Sequence, residues 1–318
     1  MQNRPPTTDH RSPLSSQNPK SEIRNLLNGL LIIDKPADWT SHDVVAKIRG
    51  ICHTRRVGHT GTLDPFATGV LVICLNQATR LVQFLTGDDK EYIATVRFGF
   101  ATDTGDFTGT AIGETTDPTH LNKSIIEAAL PSLRGNLLQI PPMYSAKKIG
   151  GVKLYEMARR GEEIERKPVS IEISSFELLE QHNSDSWNFR IVCSSGTYIR
   201  TLAEDLGKKL GIGAHLTALR RTRAGNSKIE SSVTLEELSE FSNNGKLEQV
   251  IIPMTEALSM PIIKLEDSEA EMINHGRTIS REVSATTKTF QLIHNTTLKA
   301  IAEYDKDRKT LKPKIVMN

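Results

Sequence analysis

Gly58-His59-Thr60-Gly61-Thr62-Leu63-Asp64-Pro65-Phe66-Ala67-Thr68-Gly69, running directly into Val70-Leu71-Val72-Ile73, is the stretch on which the fold class turns. Three glycines and a proline within 12 residues specify a tight loop. Upstream, Ser41 precedes His42-Asp43-Val44-Val45, with Ile48 three residues further on. A hydroxyl followed by that apolar spacing predicts an N-capped helix ending near Gly50. Downstream, residues 70–73 form a continuous apolar run, the pattern of a buried strand. The loop therefore joins a helix to a strand. It is not a P-loop, since no Gly-Lys-Ser/Thr follows, and not a dinucleotide fingerprint, since no strand leads directly into it.

The flanking sequence extends the pattern in both directions. Residues 29–33 are an apolar run stopped by Asp34-Lys35-Pro36, a second buried strand ended by a turn. Residues 77–85 predict a short helix. Tyr92, Ala94, Val96, Phe98 and Phe100 alternate with Ile93, Thr95, Arg97 and Gly99, and period two means a sheet strand. Residues 101–121, rich in Thr, Gly and Asp, predict a loop or a hairpin pair, and 122–133 have helical spacing. Strands over 169–179 and 187–193 flank a polar turn at 182–186. Residues 198–210 predict a helix with Ile199, Leu202, Leu206 and Leu210 on one face, closed by Gly211. Helices alternate with strands that also pair as hairpins. The fold class expected is a mixed, largely antiparallel α/β sheet with flanking helices rather than a doubly wound parallel one. After about residue 250, Ser268-x-x-Glu271 predicts a capping box for a short helix closed by Gly276. Short β-type runs follow at 289–293, 298–304 and 314–317, the pattern of a small barrel.

The chain has 318 residues, 37% of them apolar and 25% charged, with a formal net charge of +2. That balance excludes a histone-like polycation and leaves room for a local basic face on a nucleic-acid enzyme. Cys52, Cys74 and Cys193 are an odd, scattered set, which excludes a disulfide scaffold and a zinc knuckle and points to a reducing, cytoplasmic setting. No run approaches the roughly 20 apolar residues of a membrane span. Residues 1–25 hold four of the 14 prolines and few apolar groups, and predict a disordered tail.

Four units carry candidate chemistry. Asp64 sits in the glycine loop without an acidic neighbour. Asp before Pro is most often a turn residue; the functional reading is a rigidly held carboxylate, nucleophile or general base. Ser194-Ser195-Gly196-Thr197-Tyr198-Ile199-Arg200 places an aromatic and a guanidinium in the first turn of a helix. Ile140-Pro141-Pro142-Met143-Tyr144-Ser145-Ala146-Lys147-Lys148 is an extended, lysine-bearing segment, and Lys90-Glu91-Tyr92 opens the alternating strand. Asp103 and Asp106 lie in a Thr/Gly turn, where carboxylates usually satisfy local amides, so no metal is expected. Arg220-Arg221-x-Arg223, with Lys147, Lys148, Arg159 and Arg160, are candidates for a phosphate-facing groove.

Together these units resemble the TruB family of tRNA pseudouridine synthases, which isomerise the T-loop uridine at position 55. The matches run in the family's order: residues 31–36 with Thr40-Ser41, then Gly58-His59-x-Gly61-x-Leu63-Asp64-Pro65-x-Ala67-x-Gly69, then Lys90-Glu91-Tyr92. Asp103-x-x-Asp106, Pro141-Pro142-x-Tyr144-Ser145-Ala146-x-Lys148, Tyr155-x-x-Ala158-Arg159-x-Gly161, Gly196-Thr197-Tyr198-Ile199-Arg200 and Gly213-Ala214-His215-x-x-x-Leu219-Arg220-Arg221 complete the set. The resemblance covers residues 28–250 and implies a catalytic domain there. Residues 251–318 resemble the small PUA-like RNA-binding domain of bacterial members, and residues 1–25 match nothing. It implies Asp64 as the catalytic aspartate, Arg200 as its salt-bridge partner, and Tyr92 and Tyr198 against the target base, Tyr92 being also a candidate for taking the C5 proton. It further implies Leu219 lining the pocket and His59 at the flipped-out T-loop, with Lys35, Tyr144, Lys148 and Arg220 on the RNA. The expected enzyme acts on the tRNA T-arm by base flipping, as a monomer, without cofactor, metal or obligatory protein partner. The rival expectations are a guide-dependent rRNA synthase of the same fold and a non-catalytic tRNA-binding or folding module.

Overall fold

A computed structural model describes residues 27–284 and 287–317; the tail expected at 1–25 lies outside them. The central sheet is built on β1 (Gly29–Lys35), β2 (Thr68–Leu75), β3 (Lys90–Phe98), β4 (Gly135–Gln139), β5 (Val169–Asn183), β6 (Ser186–Cys193) and β7 (Ala214–Ala224). In space the order is Ile252–Pro253, β1, β2, β7, β3, β6, β5, β4. All neighbours on that path are antiparallel except β2 and β7, whose parallel contact pairs Thr68 with Arg220 and Gly69 with Arg221. The mixed, largely antiparallel sheet read from the sequence is therefore the one the chain forms.

The hydrophobic pattern of each strand follows from what covers it. β3 alternates because its Tyr92, Ala94, Val96 and Phe98 face a core shared with α2 (Ile199–Lys209), which contributes Ile199, Leu202, Ala203 and Leu206. The continuous apolar runs of β1 and β2 are covered on both faces. Leu31, Ile33, Leu71 and Ile73 pack with Val44, Val45 and Ile48 of α1 (Ser41–Ile51) and with Leu235 and Leu238 of α3 (Leu235–Asn243). Leu30, Ile32, Val70 and Val72 face the other way, against Leu298, Ile301 and Met317.

Leu298 and Ile301 belong to a second sheet, which Met317 directly follows, ordered β8 (Ile262–Lys264), β10 (Thr289–His294), β11 (Thr297–Asp305), β12 (Thr310–Val316), β9 (Ile279–Ser280). It is a curled half-barrel, with a core of its own formed by Phe290, Leu292, Ala300 and Leu311 under α4 (Asp267–Asn274). Two helix starts differ from expectation. The cap of α1 is Thr40, in a box with Asp43, because Ser41 turns inward to the loop described below. The box of α4 is Glu266 with Glu269, since the chain is extended at Glu266 and helical from Asp267. The helix expected at 77–85 is a 3₁₀ segment, Asn76–Leu81, followed by one α turn, Val82–Leu85. No described helix is long and apolar enough to cross a membrane.

Candidate active site

The 58–69 loop is fastened from several directions. Ser41, at the start of α1, accepts the Leu63 amide at 2.9 Å and donates to the Leu63 carbonyl at 3.2 Å. The Asp38 amide and the Lys35 ammonium both donate to the Pro65 carbonyl, at 2.9 and 3.0 Å. Arg221 on β7 donates to the carbonyls of Gly61 and Val70, at 3.0 and 2.6 Å. Gly69 closes the loop with φ +97°, and a Cβ there would lie 2.2 Å from the Arg221 carbonyl oxygen, so no side chain fits. Asp64 is thereby held on a fixed backbone.

Arg200, in the first turn of α2, meets it. Nε lies 3.0 Å from Asp64 Oδ2 and Nη2 3.2 Å from Oδ1, a two-point contact that fixes the carboxylate plane. The remaining donors are also used: Nη2 on the Tyr144 carbonyl at 2.6 Å and Nη1 on the Thr104 carbonyl at 2.7 Å. Asp106 Oδ2 stands 3.6 Å from Nη1. One buried guanidinium thus gathers the glycine loop, the Thr104–Asp106 turn and the proline segment. Burial raises the Asp64 carboxyl above its ordinary range and Asp106 adds to the push, while Arg200 pulls it back. About a third of the Asp64 side chain remains open.

That open part faces two cavities. One, about 410 Å³, is lined by Asp64, Tyr92, Tyr198, Arg200, Leu219 and Arg221. The other, about 680 Å³, shares Asp64, Ser145 and Arg200 with it and continues past His59, Phe66, Tyr144 and Tyr155. Two cations approach the Tyr155 ring, Lys153 Nζ at 5.3 Å and the Arg159 guanidinium at 5.4 Å from its centre. Burial raises the phenols of both Tyr92 and Tyr198, keeping them protonated, with Arg221 opposing at Tyr92 and Ser145 opposing at Tyr198. His59 is pushed down by burial, with His42 and Arg221 adding to the effect, so its imidazole is neutral. Its ring meets that of His42 edge-on at 5.8 Å, and its Nδ1 is buried without a hydrogen-bond partner.

Of the residues singled out in the sequence, Asp64, Arg200, Tyr92, Tyr198 and Leu219 converge on the smaller cavity, and His59 and Tyr144 on the larger. Three are placed elsewhere. Lys35 has no exposed surface; its ammonium turns inward to the Pro36 and Pro65 carbonyls, beneath the loop, so it does not reach a substrate. Burial pushes its pKa down to about 8, against the opposing pull of Asp38 and Asp64. Arg220 lines neither cavity and is paired with Asp34 at 2.7 and 3.0 Å. Lys148 also lines neither and stands exposed on a two-stranded hairpin, Lys148–Ile149 with Val152–Lys153.

Two participants went unread as such. Asp106 does bind its own turn, accepting from Thr108 N at 3.0 Å and from Thr104 Oγ1 at 2.9 Å, but its second oxygen faces Arg200. Arg221 is buried opposite Tyr92 in the β3–β7 ladder rather than facing phosphate. The signal was available: Leu219 and Arg221 lie two apart on a strand and share a face, whereas Arg220 points the other way.

Residues 49–199 match the TruB family pseudouridylate synthase N-terminal domain, and residues 200–259 the tRNA pseudouridylate synthase B C-terminal domain. The tRNA pseudouridine synthase B of Francisella philomiragia is 42% identical over 282 residues, spanning 89% of this chain and 93% of that protein. That of Bacillus cytotoxicus is 42% identical over 305 residues, spanning 92% and 98%. Among solved structures, a chain of the archaeal box H/ACA sRNP Nop10-Cbf5 complex superposes with TM-score 0.71 at 26% identity, covering 95% of this chain and 89% of that one. Fold and relatives together define a pseudouridine synthase, an isomerase. Among such enzymes the chain belongs to the TruB family. It forms pseudouridine in tRNA.

Proposed function

We propose that the chain isomerises uridine 55 in the T-loop of tRNA, with Asp64 as nucleophile and the target base extruded into the smaller cavity. The observation that carries this reading is the two-point grip of Arg200 on Asp64 at a cavity walled by Tyr92, Tyr198 and Leu219. A base still stacked in RNA cannot reach a carboxylate held there. An extruded one recovers part of its stacking against the aromatic walls.

In the reaction the Asp64 carboxylate adds either to uracil C6 or to ribose C1′. The N1–C1′ bond breaks, the base turns so that C5 faces C1′, the C5–C1′ bond forms, and Asp64 departs. The C5 proton is lost and N1 gains one, so product and substrate are isomers and no co-reactant is consumed. Arg200 keeps the carboxylate ionised and oriented for both its addition and its departure. We assign Tyr92 and Tyr198 to holding the base. The protonated state that burial imposes on Tyr92 disfavours a phenolate taking the C5 proton. His59, neutral at the rim of the larger cavity, is assigned to the space left in the loop by the extruded nucleotide. Residues 28–250 are assigned to catalysis and the C-terminal sheet to further contacts along the tRNA.

The test is carbodiimide mapping of pseudouridine in a T-arm hairpin incubated with purified protein and no guide RNA. Product at the position equivalent to 55, absent with Asp64→Asn, is the expected result. Product that appears only with a guide RNA would favour the guide-dependent reading, for which the similarity to the Nop10-Cbf5 chain is the supporting observation.

A further inference from the structure

Phe107 follows Asp106 in the turn that Arg200 gathers, and 53% of its surface is exposed. It is the one phenylalanine left exposed among the described residues. Its backbone is not loose. The Phe107 amide donates to the Leu216 carbonyl at 2.8 Å, the Asp106 carbonyl accepts from Thr102 Oγ1 at 2.7 Å, and Thr108 N is bonded to Asp106 Oδ1. The ring meets Phe66 edge-on, with centroids 5.6 Å apart and planes at 85°. Phe66 stands two residues after Asp64 and lines the larger cavity, as do Asp106 and Thr108 on either side of Phe107 in sequence. A hydrogen-bonded backbone therefore holds an aromatic ring half in water beside the larger cavity, although burying such a ring is the favourable course.

We propose that Phe107, braced by Phe66, is a stacking ledge for an unpaired base of the substrate RNA next to the target uridine. The proposal rests on the functional reading above. Three features favour a nucleobase as occupant. The ledge is continuous with the cavity that holds Asp64. That cavity carries two cations, Lys153 and Arg159, suited to the phosphates flanking such a base. Stacking on an aromatic face accepts any base, which suits a loop nucleotide displaced when its neighbour is extruded.

The experiment is a binding cycle on a T-arm hairpin. Affinity is measured for the wild type, Phe107→Ala, Phe107→Leu and Phe107→Trp. The RNAs are the intact hairpin and a series in which each nucleotide flanking the target is made abasic in turn. Phe107→Ala is expected to weaken binding of the intact hairpin about tenfold. Phe107→Leu, which keeps apolar bulk without a π face, should lose as much, and Phe107→Trp should retain affinity. At one abasic position the wild type should lose the same factor and Phe107→Ala should add nothing further. Unchanged affinity of Phe107→Ala and Phe107→Leu would overturn the ledge, and so would a loss that persists at every abasic position. If Phe107→Ala melts at a lower temperature than the wild type, Phe107→Leu decides in its place. If the wild type binds the hairpin without forming pseudouridine, the functional reading fails and the ledge is decided by the binding cycle alone. If it does not bind, both fall.

Discussion

Asp64 and Arg200 stand 136 residues apart in sequence and share two contacts, and each owes its position to atoms outside its own segment. Asp64→Asn keeps the shape of the site and removes the carboxylate proposed as nucleophile. It should abolish turnover while tRNA affinity stays within about tenfold, or ~1.4 kcal/mol, as compared by single-turnover rates and filter binding. Because burial raises the Asp64 carboxyl, and the proposed attack needs its ionised form, the rate should fall as pH drops through a value above the ordinary aspartate range. Arg200 opposes that rise by its charge and, less, by its hydrogen bond; Arg200→Lys keeps the charge and loses the fork, so it should move the acid limb only modestly to higher pH. It should also remain about 100-fold slow above the limb, since a point charge cannot orient the carboxylate. An Arg200→Lys profile that superimposes on the wild type would remove Arg200 from that role. Asp64 and Arg200 were legible because each sits in a compact motif. Lys35 was not: a lysine before proline reads as a surface residue, and its inward turn depends on the Pro65 carbonyl 30 residues away.

At the next scale, α1 is both a helix and a clamp. Thr40→Ala removes its cap and should cost about 1 kcal/mol of stability, read from the urea midpoint, with the loop left in place. Ser41→Ala strands the buried Leu63 amide, costing about 1–3 kcal/mol, and should in addition lower the saturating rate because Asp64 loses a brace. A Ser41→Ala enzyme that is destabilised yet turns over normally would show that the loop holds without it. Element type was read correctly where a strand is covered uniformly, as in the two-sided β1 and β2 or the alternating β3. It was missed where a local event breaks the period. In β7 the pairing slips between Leu216 and Ala218 and again between Arg221 and Arg223, so the alternation is confined to the middle of the strand and does not run its length in the sequence. β4 is a short edge strand whose Leu138 faces solvent, which leaves its pattern with no apolar face to find. The signature of α3, Thr234-x-x-Glu237, was present, and the structure uses it as a capping box.

The whole molecule constrains how far its two sheets can be treated as separate modules. Removing residues from 251 onward would strip the Ile252–Pro253 strand from β1 and uncover Leu30, Ile32, Val70, Val72 and Leu81. At about 1.5–3 kcal/mol for each large aliphatic side chain, that loss is comparable with the whole stability of a typical domain, about 5–15 kcal/mol. The truncated chain should lose its cooperative melting transition, rather than simply bind whole tRNA less tightly; a sharp transition retained near the full-length temperature would contradict this. RNA binding by the full chain should weaken steeply with salt, the log–log slope reporting the phosphates neutralised. The pairing of Gly29 with Pro253 also bears on how the protein is made. During synthesis at about 5–20 residues per second, the first strand leaves the ribosome roughly 10–45 s before its edge partner exists. Arg221, which fastens the glycine loop, also arrives late. A nascent chain halted before Arg221 would carry Asp64 and Arg200 and still lack an assembled catalytic centre, so enzyme activity should emerge abruptly near the end of translation.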